Sequence, residues 1–140
     1  MALSASGLEV GDRHSQVVAG DLPRTQLVQY SGASGDYNPL HSDEPFAREV
    51  AGYPGVFGHG MLTMAMTGRM LTDWVGDGRL LDYGVRFVAQ VWPGDTLTAT
   101  ATVRELGERD GNPIAVLDVA TTNQAGKDVV TGTATVRLDP

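Results

Sequence analysis

Cysteine is absent from the chain, which excludes disulfides, thiolate metal sites and cysteine nucleophiles together. Clustered basic charge is missing as well. Ten Lys and Arg residues are scattered against 17 acidic ones, for a net charge of −7. Nucleic acid and anionic membrane surfaces are therefore not expected as partners. A phosphate-bearing ligand would have to rely on one or two local arginines, with Arg48, Arg69, Arg79 and Arg86 as the candidates. No apolar run approaches the ~18 residues a membrane span needs, so no membrane association is expected. The N-terminal stretch MALSASGLEVGD has neither a basic start nor an apolar core. It does not read as a signal peptide, and a cytoplasmic location is expected. Internal repeats, low-complexity segments and linkers are also lacking.

What is present describes an ordinary globular domain. Of 140 residues, 41% are hydrophobic and 19% charged, enough for a single domain over residues 1–140 with one sizeable core. Residues 8–20 read as a turn at Gly11-Asp12 followed by a short extended piece. Pro23 suits the first turn of a helix running to about Ala33, where its missing N–H costs nothing. Leu27, Val28 and Tyr30–Ser31 give that helix a mainly apolar face. A second short helix is expected from Pro45 to Val50, with Asp43 or Glu44 at its positive end.

The segment from about Gly60 to Trp74 predicts a helix that is apolar nearly all round, with Met61, Leu62, Met64, Met66, Met70, Leu71 and Trp74 on several faces. Such a helix has to be enclosed by the rest of the fold. After residue 79 the pattern changes to strands: Leu81–Trp92, Thr96–Leu106, Pro113–Thr122 and Val129–Leu138. The turn signals between them, at Pro93-Gly94-Asp95, Asp110-Gly111-Asn112 and Gln124-Ala125-Gly126, have hairpin spacing. The expectation is α+β, an antiparallel sheet wrapped around one central helix. An open sheet has edges that need covering, and a dimer is the simplest cover.

Chemistry-bearing residues gather in residues 34–64, SGDYNPLHSDEPFAREVAGYPGVFGHGMLTM. Asp36 and His41 stand five residues apart with Asn38-Pro39 forcing a turn between them. A carboxylate and an imidazole brought together in this way can hold a water and move its proton near neutral pH. Spacing alone leaves a second reading open, in which Asp36 makes an Asx turn and His41 is a surface residue. At His59-Gly60-Met61 a glycine-rich loop enters the apolar helix, and the unpaired amides there suit a carbonyl that gains charge. His59 itself reads as a structural hydrogen-bonding residue. His41, Asp43, Glu44 and His59 are metal-ligand types, but no helical ligand spacing such as H-E-x-x-H is present, and no metal is expected. A G-x-S-x-G elbow, a P-loop and a dinucleotide fingerprint are all absent.

SGDYNPLHSDEPFA followed by FGHGMLTMAM resembles the MaoC-like, or (R)-specific, enoyl-CoA hydratases, whose motif runs approximately S-x-D-x-N-P-x-H-x-D and then H-G-M-L. The likeness extends over VRFVAQVWPGDTL and the closing VVTGTATVRL. The resemblance implies a dimeric hotdog fold without cofactor. It implies that Asp36 and His41 are the acid/base pair for reversible water addition to trans-2-enoyl thioesters, or dehydration of (3R)-hydroxyacyl thioesters. It assigns the Gly60 amide to the thioester carbonyl and Asn38 to support of the loop at the substrate site. Some members carry serine at the position that aligns with Gly68, so serine-dependent pocket features do not carry over. The acyl carrier, coenzyme A or acyl carrier protein, stays open, as does a homodimer against a heterodimeric (3R)-hydroxyacyl dehydratase. A hotdog thioesterase is a weaker alternative, because the central helix has no acid between Gly60 and Thr72. A non-catalytic acyl-binding subunit is another, disfavoured because both acid/base residues are kept.

Overall fold

The computed structural model describes residues 3–140. Strand β1 spans Arg13–Ala19, helix α1 Arg24–Ser34 and helix α2 Gly60–Val75, followed by β2 Leu80–Phe87, β3 Leu97–Arg109, β4 Asn112–Thr122 and β5 Asp128–Arg137. Two short turns lie between the helices: a 3-10 turn at Pro39–His41 and a π turn at Phe46–Val50. The strands form one antiparallel sheet in the order β1-β3-β4-β5-β2.

Alternation along the strands explains which side of the sheet closes on α2. In β3, Leu97, Ala99, Ala101 and Val103 are buried while the residues between them are not, the period-2 pattern of a sheet with one core face. Small side chains at Ala99, Ala101, Ala115 and Ala134 leave room for α2 to sit close. The helix packs on β1, β2, β3 and β5 and buries Leu62, Met66, Met70, Leu71 and Val75. A sheet wrapped around one long helix is the hotdog architecture that the family resemblance implied.

The Asp110-Gly111 turn joins β3 to β4 with both residues at positive φ, 52° and 77°, the backbone that tight hairpins favour. Asn123 organises the next hairpin, its Oδ1 accepting the amides of Ala125 (3.0 Å) and Lys127 (3.1 Å).

Several expectations need correction. Pro93-Gly94-Asp95 does not close a hairpin, because β2 pairs with β5 and lies on the far side of the sheet from β1. The turn is tied instead to the segment before α1, through Leu22 N–H to Asp95 C=O (2.9 Å) and Gly94 N–H to Leu22 C=O (2.7 Å). Strand β2 stops at Phe87 rather than Trp92. Just beyond it Val88 still donates to the Val129 carbonyl of β5 at 2.9 Å, and further on the Val91 carbonyl accepts the Gly58 amide at 2.7 Å, pinning the loop that leads into α2. Helix α2 is not enclosed on every side: Met61, Ala65, Arg69 and Asp73 form an exposed stripe in the protomer. In α1, Val28 points outward, 56% exposed. Pro23 stands just ahead of α1 as its cap, with extended φ and ψ.

Candidate active site

Asp36 and His41 are set in place by three successive local devices. First, α1 ends at Gly35, whose left-handed φ of 74° lets its amide bond back to Ser31 C=O at 3.0 Å. Glycine pays no steric cost for that conformation. Next, the Asp36 carboxylate closes an Asx turn, Oδ1 accepting the Asn38 amide at 3.2 Å, which leaves Oδ2 free. Finally, Asn38 caps the 3-10 turn, its Oδ1 accepting the Leu40 amide at 3.0 Å. Pro39 sits in the first position of that turn and His41 in its last.

The turn delivers His41 into the protein. Its side chain is 10% exposed, against 52% for Asp36. Nδ1 lies 2.6 Å from the Phe57 carbonyl. A carbonyl only accepts, so Nδ1 carries the proton and the neutral ring keeps its lone pair on Nε2. Nε2 faces Asp36 Oδ2 at 3.9 Å. That separation is too long for a direct hydrogen bond and suits two groups sharing one water. Asp36 therefore makes the Asx turn with one oxygen and turns the other toward the imidazole, while His41 is buried and not the surface residue of the second reading.

His59 lies closer to the pair than the sequence suggested. Its ring stacks on His41 with centroids 3.8 Å apart and 25° between planes, and Tyr30 meets it edge-on at 4.7 Å. Nε2 of His59 lies 3.1 Å from Ser31 Oγ and 3.3 Å from the Asp36 carbonyl. Burial, then the neighbouring His41, holds the His59 imidazole below its ordinary value of 6.5, although the Asp36 carbonyl and carboxylate pull the other way. One signal in the sequence points to this: a histidine directly before the glycine that opens the buried helix. Nothing in the local sequence marks Phe57, yet it orients His41 through its carbonyl and packs its ring edge-on at 5.4 Å.

Asp36, His41 and His59 each bring a ligand atom within 4.8 Å of the others. The stack argues against a metal centre. Imidazole lone pairs lie in the ring plane, and two nearly parallel rings aim them side by side instead of at a common point.

Helix α2 starts immediately after His59. The amides of Leu62 and Thr63 return to the His59 carbonyl at 3.1 and 3.4 Å. Those of Gly60 and Met61 have no acceptor among the described residues, so two donors at the positive helix end remain available. A cavity of ≈ 320 Å³ opens beside them, lined by Phe57, Gly58, Gly60, Phe87 at the end of β2 and the residues 88–90 that follow it. Asp36 and His41 do not line it; Phe57 is the wall shared by the cavity and the histidine. Asn38 is exposed and spends its carbonyl oxygen on the cap, which makes it a support of the loop.

Of the arginines considered for a phosphate, Arg48 pairs with Glu44 at 3.1 Å, Arg79 pairs with Asp139, and Arg69 donates to Val18 C=O at 3.2 Å. Arg86, on β2, forms no ion pair among the described residues. Asp43 caps the π turn through the Phe46 amide at 3.1 Å, while Glu44 pairs with Arg24.

Comparison with known proteins identifies the family and the fold. The MaoC like domain matches residues 5–128. The (R)-specific enoyl-CoA hydratase of Aeromonas caviae is 33% identical over 138 residues, 97% of this chain and 99% of that protein. The 3-hydroxyacyl-thioester dehydratase Y of Mycobacterium tuberculosis is 37% identical over 103 residues, 71% of this chain but only 35% of its own length. Among solved structures, the A. caviae (R)-hydratase superposes with a TM-score of 0.83 at 32% identity, covering 96% of this chain and 99% of its own. The R-hydratase of Pseudomonas aeruginosa does so with a TM-score of 0.84 at 27% identity, covering 99% and 88%.

Proposed function

The chain belongs to the MaoC-like family, and from that premise we propose that it is an (R)-specific enoyl-CoA hydratase running reversible water addition to trans-2-enoyl thioesters. The observation that carries the reading is the pairing of Asp36 Oδ2 with a His41 Nε2 whose lone pair is fixed by the Phe57 carbonyl. Relatives matched over nearly their full length are hydratases of this specificity, which supports coenzyme A as the carrier.

In this mechanism a water sits between Asp36 Oδ2 and His41 Nε2. His41 takes one of its protons as the oxygen bonds to C3 of the enoyl group. The C2–C3 π electrons move toward the thioester carbonyl, whose growing negative charge meets the Gly60 amide at the positive end of α2. A proton from the pair then goes to C2, and H and OH have been added across the double bond. Dehydration of the (3R)-hydroxyacyl thioester follows the same path backwards. The buried side of His41 is packed against Phe57 and His59, so the water must arrive from the Asp36 side, and a fixed face of attack gives one enantiomer. Asn38 contributes by holding the turn that carries His41.

A homodimer belongs to the same proposal. β2 is an edge strand, and Leu81, Phe87 and Val88 on or just past it are 43%, 52% and 51% exposed. An edge with this much open apolar surface calls for a partner. Sedimentation should give twice the chain mass, whereas a monomer would leave the edge unexplained.

The test of the reaction is loss of enone absorbance on adding the protein to crotonyl-CoA, with chiral analysis of the product and a free-thiol assay in parallel. The expected result is (3R)-hydroxybutyryl-CoA without thiol release. Thiol release without hydration would favour a thioesterase, although the one acid on α2, Asp73, lies at its far end, where its carboxylate accepts from Gln16 Nε2 at 3.2 Å.

A further inference from the structure

We propose that His59 is the positioning residue of the acid/base pair: its Nε2–H holds the Asp36 loop while its ring face supports His41, so that one neutral imidazole sets the spacing between the two. The inference rests on the acid/base reading of Asp36 and His41.

The direction of each hydrogen bond follows from its neighbours. Ser31 Oγ donates to the Leu27 carbonyl at 3.0 Å, so its proton is spent and it can only accept from His59. The Asp36 carbonyl, 3.3 Å from the same nitrogen, can only accept as well. Two acceptors on one ring nitrogen require that nitrogen to be protonated. His59 is therefore the Nε2–H tautomer, and its Nδ1 carries a lone pair.

Nδ1 of His59 is the one buried side-chain polar atom without a hydrogen-bond partner among the described residues. A proton placed there would be a buried N–H with nothing to receive it, an unfavourable state inside a protein. The ring is 2% exposed, and its titratable neighbours are His41 against its face, Tyr30 against its edge and Asp36 across the loop. A second cation 3.8 Å from a protonated His41 would be repelled. His59 thus stays neutral throughout the proposed proton transfer. The adjacent tautomers are opposite, Nδ1–H on His41 and Nε2–H on His59, and each is fixed by a backbone carbonyl.

The consequence is geometric. The Asp36 side chain is half exposed, and its hydrogen bond is to the Asn38 amide of its own loop, which moves with that loop. Its main chain is tied from below by His59, and His41 rests on the same ring. Losing that tie frees the carboxylate to drift relative to the imidazole, and a drift of about 1 Å can cost up to a hundredfold in rate.

The experiment has two parts. Long-range 1H–15N spectra of the labelled wild type, assigned with single histidine variants, report the tautomer of each ring between about pH 5 and 8. His59 should be protonated on Nε2 and should not titrate in that range. A proton on Nδ1, or a His59 titration there, would overturn the proposal whatever the enzyme's activity. The second part compares His59→Phe, which keeps a ring but no donor, with His59→Gln, which places an amide N–H near Nε2. Phe should lower kcat ten- to a hundredfold with KM nearly unchanged, and Gln should recover at least part of the loss. Wild-type kcat in the Phe variant, or equal losses in both, would leave His59 a packing residue only. The spectra need no turnover, so failure of the hydratase reading and failure of the positioning role are distinguishable.

Discussion

The ring of Phe87 lies across Gly60: a Cβ built on the glycine would meet the ring carbons at 2.8–2.9 Å. The aromatic end of β2 is thus seated on the first residue of α2, beside the free amides and the cavity. Glycine is required here for close approach, not for its backbone angles. Gly60→Ala should push the ring aside and crowd the amide that the proposed mechanism sets against the thioester carbonyl. The expected outcome is a folded protein with kcat/KM for crotonyl-CoA lowered about tenfold. Adding Phe87→Ala should return part of that loss. Additive losses in the double variant would mean that the ring and the glycine act independently.

Gly132 has a stricter neighbour. A Cβ there would stand 2.1 Å from the Gly84 carbonyl oxygen and 2.8 Å from Val85 Cα, both backbone atoms of the paired strand β2. A ring can swing away, but a paired strand cannot move without breaking its ladder. Gly132→Ala should cost about 3 kcal/mol and lower the melting temperature by on the order of 10 °C. Thermal unfolding of this variant beside Gly84→Ala, which meets nothing within 4 Å, checks the point.

His59 makes stability depend on acid. Its folded-state value lies below the ordinary 6.5, so below that pH the unfolded chain binds the proton more tightly. The contribution is fully present above about pH 6.5 and is lost as the pH falls toward the folded value. Urea midpoints should therefore decline with acidification in that window, and less steeply in His59→Gln. Glu44, held below 4.5 by Arg24, acts at lower pH and is unaffected by the substitution. Equal slopes in the two proteins would contradict the burial argument.

Tyr83 works at the other end of the scale. Its hydroxyl donates to the Met64 carbonyl at 2.7 Å, its ring lies 3.2 Å from where a Gly68 Cβ would be, and burial pushes the phenol up from 10.0 to about 12. The folded state prefers the neutral phenol, so its contribution holds below about pH 10 and is lost as pH rises toward 12. Alkaline unfolding of Tyr83→Phe should lack this component, and an identical alkaline profile would count against it.

Local sequence carried much of this protein. The helix read from Gly60 to Trp74 is α2, and the Asp36-to-His41 spacing converges because its Asx turn, cap and proline act within a few residues. What escaped is non-local. Strand β2 joins β5 rather than β3, a choice made by packing across the sheet and not by the Pro93-Gly94-Asp95 turn. His59 meets His41 only because the intervening loop is pinned at Gly58 by Val91 and at Phe57 by the Leu40 carbonyl. The open stripe on α2 was missed because a methionine and an alanine, Met61 and Ala65, occupy exposed positions that polar residues usually mark.

The central claim is that Asp36 and His41 are the acid/base pair, and kcat/KM for crotonyl-CoA in wild type, Asp36→Asn and His41→Ala tests it most directly. Each variant should retain the wild-type fold by circular dichroism and lose about a hundredfold or more in rate. Wild-type hydration that survives both substitutions would contradict the mechanism.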